Sequence, residues 1–464
     1  MRPLALFVLA FLATACASVG PDYVPPEVDA PPAWQRPAGE TGAAQREDLS
    51  RWWERLEDPV LSGLIENSLA GSLDLRGARA RLRQARALRA IAGADRFPTV
   101  SASAAASRAR GSEQSIGGGR TTELYSAGFD ASWEPDVFGG IRRGIEAAQA
   151  DLEASEASLQ NTRVSLVAEV ALNYVEVRAF QARLAIAQAN LASQSETFQL
   201  TDWRAQAGLA GALDVEQARA QLEQTRAQIP ALETSLVQAE HRLAVLLGRA
   251  PGTLREHLAI RGPIPAPPQR VAVGIPADTL RQRPDVRAAE RSLAAETARI
   301  GQAQAARYPG FALTGSIGVE ALSASALGAG GAAAGSLAAS VATVLFDGGR
   351  LRQQVEAQSA LAEQARVSYE TAILTALEEV ENALVGLSNG QRRATALRTA
   401  VEAARNAALL ARQRYASGLI DFLTLLDAER TLLTIEDSLA ATQAESASAL
   451  IQLYKALGGG WTSL

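Results

Sequence analysis

The 464-residue chain holds a single cysteine, so no disulfide can form within it, and only two histidines. His241 sits in a helical run and His257 beside a proline-rich segment, placements that predict structural or exposed roles rather than metal ligation. Aromatic residues are scarce at 5% while alanine is plentiful, which argues against one large globular core and for long helices packed through small side chains. Phosphate-binding loops, zinc-helix motifs and nucleophile elbows are missing, and the glycine clusters around Gly118 and Gly330 lack phosphate-loop spacing. The expectation is a protein that is not an enzyme, with no catalytic residue, cofactor or metal. A net charge of -5 leaves no basic footprint, so nucleic acid is not an expected partner. Beyond the first residues no run of eighteen or more apolar residues occurs, so no membrane-spanning helix is predicted in the mature chain. Any crossing of a membrane must then use strands.

What is there begins with a leader. Arg2 is a minimal basic region, residues 4–12 are apolar, and Ala13-Thr14-Ala15 supplies the small residues that a signal peptidase needs, which predicts a signal peptide over residues 1–15. Cys16, the lone cysteine, stands at the cleavage point and predicts lipidation there; the alternative is an ordinary cleavage with an incidental cysteine. Ala17 and Ser18 follow with no aspartate, which by analogy with bacterial lipoproteins directs the anchor to the outer membrane. Residues 16–58 carry Pro21, Pro25, Pro26, Pro31, Pro32 and Pro37 and read as an extended, non-helical arm closed by Trp52 and Trp53.

Internal repetition governs the rest. A shift of about 210 residues brings Phe97-Pro98 near Tyr308-Pro309, Phe138-Gly139-Gly140 near Phe346-Asp347-Gly348-Gly349, Gly208-Leu209 onto Gly418-Leu419, and Leu247-Gly248 onto Leu457-Gly458. The chain therefore reads as two copies of one unit, over residues 59–275 and 276–464. Each copy holds two runs of period-two alternation, about 98–108 and 122–134 in the first and about 310–320 and 336–346 in the second, each pair closed by a glycine-rich loop. Runs of about ten residues suit strands that cross a bilayer at a tilt.

Four strands cannot close a barrel, and in lipid every strand edge must be paired, so several chains must share one barrel. Two chains give a filled interior; three give room for water, which the polar strand faces favour. After each Gly-Gly pair comes a long helical pattern. The first, from Gly144 to about Thr201, would extend roughly 90 Å. The second carries a stripe through Leu351, Val355, Ala362, Ala365 and Tyr369 that predicts a coiled-coil-like seam. Each long helix turns at a tip, where Gly208 and Gly418 suit a left-handed helix cap, and returns through 212–247 or 422–457.

Charges cluster at those tips: Asp202, Arg204 and Asp214 in the first copy, Arg414, Asp421 and Asp427 in the second. Each can be a solvated helix face. The functional reading is a gate, in which tips of several subunits converge, ion pairs close the pore and a ring of aspartates favours cations.

These features together resemble a TolC-type outer-membrane factor of the lipidated branch that serves tripartite (RND-type) drug-efflux pumps. The resemblance rests on Cys16 with Gly20-Pro21-Asp22-Tyr23; on Leu280-x-x-Arg283-Pro284-Asp285-Val286-x-x-Ala289-Glu290 before Tyr308-Pro309; on Leu345-Phe346-Asp347-Gly348-Gly349; on Arg414-Tyr415-x-x-Gly418; on Leu425-Leu426-Asp427-Ala428; and on Ala456-Leu457-Gly458-Gly459-Gly460-Trp461. It implies an α+β membrane protein, a homotrimer whose twelve-stranded transmembrane β-barrel continues into a long periplasmic α-helical barrel. It also implies an equatorial segment near 248–276 with the termini, a periplasmic adaptor protein and an inner-membrane transporter as partners, and a passive conduit for drugs or other small molecules. The family's tip motif maps onto Arg414, Tyr415 and Gly418, and its acidic constriction onto Asp427. Some members place a charge two positions after the tip glycine, where this chain has Ile420. A periplasmic lipidated coiled-coil adaptor is the rival reading; an adaptor would carry one helical hairpin, whereas hairpins and strands here occur twice. A secreted hydrolase lacks any nucleophile or acid–base pair to support it.

Overall fold

The computed structural model describes residues 18–27, 31–35, 49–114, 118–268 and 276–461. Cys16, the leader and much of the proline-rich arm lie outside them. The chain divides into two compact units: one gathers Arg81–Glu156, Ala288–Glu370 and the described part of Met1–Glu27, and the other gathers Ala157–Arg287 with the described parts of Val28–Ala80 and Thr371–Leu464. Each unit draws on both sequence copies, so the duplication does not split the chain into two spatial halves.

The first unit is built on four antiparallel strands in the order β1-β2-β3-β4, comprising Thr99–Arg110, Thr121–Trp133, Gly310–Ala321 and Ala333–Ala342. The middle pairing joins the two copies, with Phe129 opposite Ile317. The register aligns Val100, Ala131, Gly315 and Leu337 in one row and Ser101, Asp130, Ser316 and Ser336 in the next. Successive rows point to opposite faces, so the sheet has one apolar and one hydroxyl-rich face. On the apolar face Phe129, Ile317 and Leu337 are exposed. On the other, the Ser103 hydroxyl donates to Asp130 at 2.8 Å and the Ser316 and Ser336 hydroxyls meet at 2.8 Å. Strands β1 and β4 are the sheet's two edges.

Strand β4 ends earlier than its sequence suggests. Alternation runs on to Phe346, but pairing stops at Ala342, which lies opposite Gly310. The residue before Gly310 is Pro309, which has no N–H to offer the ladder, so Val344, Leu345 and Phe346 have nothing to pair with on that side.

The helices are α1 (Pro59–Gly71), α2 (Leu73–Ala94), α3 (Gly140–Gln206), α4 (Ala212–Leu246), α5 (Arg255–Leu258), α6 (Pro276–Gln282), α7 (Pro284–Ala305), α8 (Arg350–Ala416) and α9 (Phe422–Ala456). Pro98 and Pro309 stop α2 and α7 by disfavouring helical backbone in the residue before them. Aspartates start the long helices: Asp136 accepts from the Ile141 and Arg142 amides, and Asp347 from those of Gly349 and Leu351. These amides hold the Asp347 carboxyl below its ordinary value. In the same unit the N-terminal arm is tied down where Arg143 donates to Asp22 at 2.6 Å and the Tyr23 hydroxyl donates to Glu290 at 2.9 Å.

The core of the second unit collects Trp52, Trp53, Tyr174, Leu243, Leu254, Leu258 and Tyr454. Trp52 stacks on Tyr454 with ring centroids 5.2 Å apart. Trp52–Leu56 is a 3₁₀ turn, not extended chain as the arm's prolines suggest, because those prolines end at Pro37 and the buried tryptophan pair dictates the local shape. Burying each large apolar side chain contributes roughly 1.5–3 kcal/mol. Leu254 and Leu258 place part of the 248–276 segment in this core; residues 269–275 are outside the described chain. Arg283 is buried between Asp285 and Glu379, each at 2.6 Å, and donates to the Ala456 carbonyl. Burial alone would lower its pKa, but the two carboxylates outweigh that and raise it.

Candidate functional site

The polar residues singled out at the helical turns lie in the second unit, at the α3–α4 and α8–α9 junctions. The two turns are built alike. Gly208 and Gly418 both have φ of +72°, the left-handed region that glycine enters without cost. At the first, Leu209 donates its amide to the Arg204 carbonyl at 2.7 Å and Gly208 to Ala205; at the second, Leu419 donates to Arg414 at 2.8 Å and Gly418 to Tyr415. This paired i−5 and i−3 pattern closes the last turn of each long helix. The return helices are capped by an aspartate in both copies, from different positions. Asp214 accepts from the Gly211 amide at 3.1 Å, whereas Asp421 sits at the cap itself and accepts from the Thr424 amide at 2.9 Å.

Tyr415 is the centre of the site. It is 3% exposed, packs edge-on against Phe422 at 5.9 Å, and shares a small core with Ala218, Ala411, Leu425 and Leu426. Its hydroxyl donates to Thr201 at 3.2 Å, and Arg204 lies over its ring at 4.7 Å while donating to its backbone carbonyl at 2.5 Å. Arg204 thus joins the first copy's tip to the last turn of α8, where a cation is favoured by the helix dipole. Behind this contact, Thr197 donates to Glu429 at 2.8 Å and Arg412 donates to the same oxygen at 2.9 Å. Glu429 is 3% exposed, so its charge is desolvated and depends on those two partners.

Arg414 and Asp427 are placed differently. Both are exposed, and they line one groove of about 410 Å³ with Leu410, Ile420, Thr424 and Thr431. Among the described residues neither side chain has a hydrogen-bond or ion-pair partner. Asp202 holds Gln206 at 2.8 Å, one turn away on its own helix. Arg204 and Arg414 both stand four residues before a tip glycine, yet one is engaged within the chain and the other has no partner among the described residues.

Sequence reasoning passed over Thr197, Thr201, Arg412 and Glu429. No local signal marks them, since a glutamate in a helix rich in polar residues reads as solvated. Among the described residues no group of three or more His, Cys, Asp or Glu side chains is arranged to hold a metal ion.

The profile of a protein family described as "Outer membrane efflux protein" matches residues 64–249 and 275–459, two segments that follow the internal repeat. Nodulation protein T of Rhizobium leguminosarum bv. trifolii is 34% identical over 449 residues, covering 96% of this chain and 94% of that protein. The toluene efflux pump outer membrane protein TtgC of Pseudomonas putida is 34% identical over 467 residues, covering 99% and 95%. The solved outer-membrane channel OprN superposes with a TM-score of 0.90 at 41% identity, covering 96% of this chain and 99% of that one.

Proposed function

Because this chain belongs to the outer membrane efflux protein family, we propose that three copies of it form the outer-membrane channel of a tripartite pump, a passive conduit from periplasm to exterior. The observation that carries this reading is the open four-stranded sheet with one apolar face, one hydroxyl-rich face and two unpaired edges. In lipid such edges must be paired, and three copies of four strands give twelve, enough for an aqueous lumen lined by Asp130 and the serines. Cys16 carries the lipid anchor, and the long helices lie on the periplasmic side, where an adaptor protein meets their tips and an inner-membrane transporter energises export. Drugs and other small molecules are the exported class, as the pump named for toluene suggests.

The tips form the gate. Tyr415, Arg204 and Thr201 hold the two tips of one chain together, while Asp214 and Asp421 fix the turns. Arg414 is left for a neighbour: by the repeat it occupies the place of Arg204, and in a ring of six alternating tips its counterpart is the last turn of α3 in the next chain. Asp427, exposed beside it, lines the mouth. Reconstituted into planar bilayers, the detergent-extracted protein is expected to conduct ions in discrete steps. A protein that inserts and leaves the bilayer silent under every applied voltage and salt condition contradicts the reading.

A further inference from the structure

The sheet's two edges are different, and exposed apolar side chains gather beside both. In the first unit α2 meets α3 through Arg86–Glu156 at 3.4 Å and Arg89–Gln149 at 3.2 Å, α3 meets α7 through Arg291–Glu153 at 3.3 Å, and α7 meets α8 through Gln358–Glu296 at 2.5 Å. The helices are thus ordered α2-α3-α7-α8, matching β1-β2-β3-β4, with α2 beside one open edge and α8 beside the other. Just before β1, Leu88, Ile91 and Phe97 are 54%, 62% and 70% exposed. Just after β4, Leu345 and Phe346 are 92% and 91% exposed.

Strands alternate in direction through the sheet, so β4 of one copy meets β1 of another antiparallel, and the end of β4 lies at the same end of the sheet as the start of β1. Leu345 and Phe346, three and four residues past Ala342, then emerge at the same end as Phe97, two residues before Thr99. The two edges are unlike, so the contact is head-to-tail and repeats around a closed ring. A second copy of this chain fits both edges, because the β1–β4 seam brings the two apolar clusters together and removes them from water at once.

We propose that Leu345 and Phe346 of one copy seat against Phe97, Leu88 and Ile91 of the next, an apolar clasp at the periplasmic end of the intersubunit seam. The clasp rests on the reading of the sheet as one part of a shared barrel. It gives the Leu-Phe pair of the Leu-Phe-Asp-Gly-Gly stretch a role separate from that of Asp347, which starts α8 within its own chain.

The test is a cysteine pair, Phe97→Cys with Leu345→Cys, in the full chain that keeps Cys16. After detergent extraction and copper-phenanthroline oxidation, a non-reducing gel is expected to show covalent dimers and trimers. Each single variant should show neither, nor should Phe97→Cys with Leu322→Cys, since Leu322 lies just past the opposite end of β3. No ladder from a sample that still extracts as a trimer and conducts would overturn the clasp, leave the channel standing, and place the Leu-Phe pair against lipid. A parent chain that itself extracts as single chains would overturn both.

Discussion

The Arg204 guanidinium lies 4.7 Å above the Tyr415 ring and donates to the Tyr415 carbonyl at 2.5 Å, so one side chain from the first copy caps the helix that ends in the second. Cap and ring contact together are worth about 1–2 kcal/mol in a partly buried setting. Arg204→Ala is expected to raise closed-state leak in planar bilayers and to speed amide exchange over 412–419, with little change in global melting. Unaltered leak together with faster exchange would make this contact a local cap with no part in gating.

Arg414 carries the converse expectation. Its side chain has no partner among the described residues, so Arg414→Ala should leave amide exchange within the tip unchanged while raising leak conductance several-fold. If the closed state is unaltered, the gate lies elsewhere along the helices.

Asp427 is exposed on the same groove as Arg414. Three copies would place three carboxylates at the mouth and favour cations. Asp427→Ala should move the reversal potential in a salt gradient toward zero selectivity; an unchanged potential assigns Asp427 to a solvated helix face.

Glu429 is the buried anchor behind the tip, shared by Thr197 and Arg412. Glu429→Ala strips both of their acceptor and should cost about 1–3 kcal/mol, read as a lower melting temperature of the detergent-solubilised protein. A melting temperature equal to that of the parent would mean that water takes the carboxylate's place without loss.

Asp421 gives a pH dependence with a defined sign. Its hydrogen bonds from Thr424 hold the carboxyl below the ordinary value. A depressed folded-state pKa contributes stability that is present above the unfolded value and is lost as pH falls through the folded one. Protection of the Thr424 amide should therefore drop on acidification in the parent and stay level in Asp421→Asn, whose amide oxygen still caps the helix. Parallel profiles for the two proteins would put the titrating group elsewhere.

The duplication, the two strand pairs and the glycine-closed tips are all legible in the sequence because each rests on local chemistry. Alternation marks a strand, a proline stops a helix, and a glycine permits a left-handed cap. What is not legible is tertiary. The end of β4 depends on Pro309 in the opposing strand, not on its own alternation. Glu429 and Asp427 are two residues apart on α9 and look alike in sequence, yet one is buried and the other exposed, because only Glu429 is held between α3 and α8, by Thr197 and Arg412. Arg204 and Arg414 are equivalent by the repeat, and only the fold distinguishes the arginine engaged within the chain from the one with no partner among the described residues.

Other copies of the chain would satisfy the open edges of β1 and β4, and native mass spectrometry of the detergent-extracted protein measures that directly. The expected result is a particle of three chains that persists without cross-linking and also forms when Cys16 is replaced by alanine. Single chains that stay soluble in the absence of detergent once Cys16 is removed would contradict it.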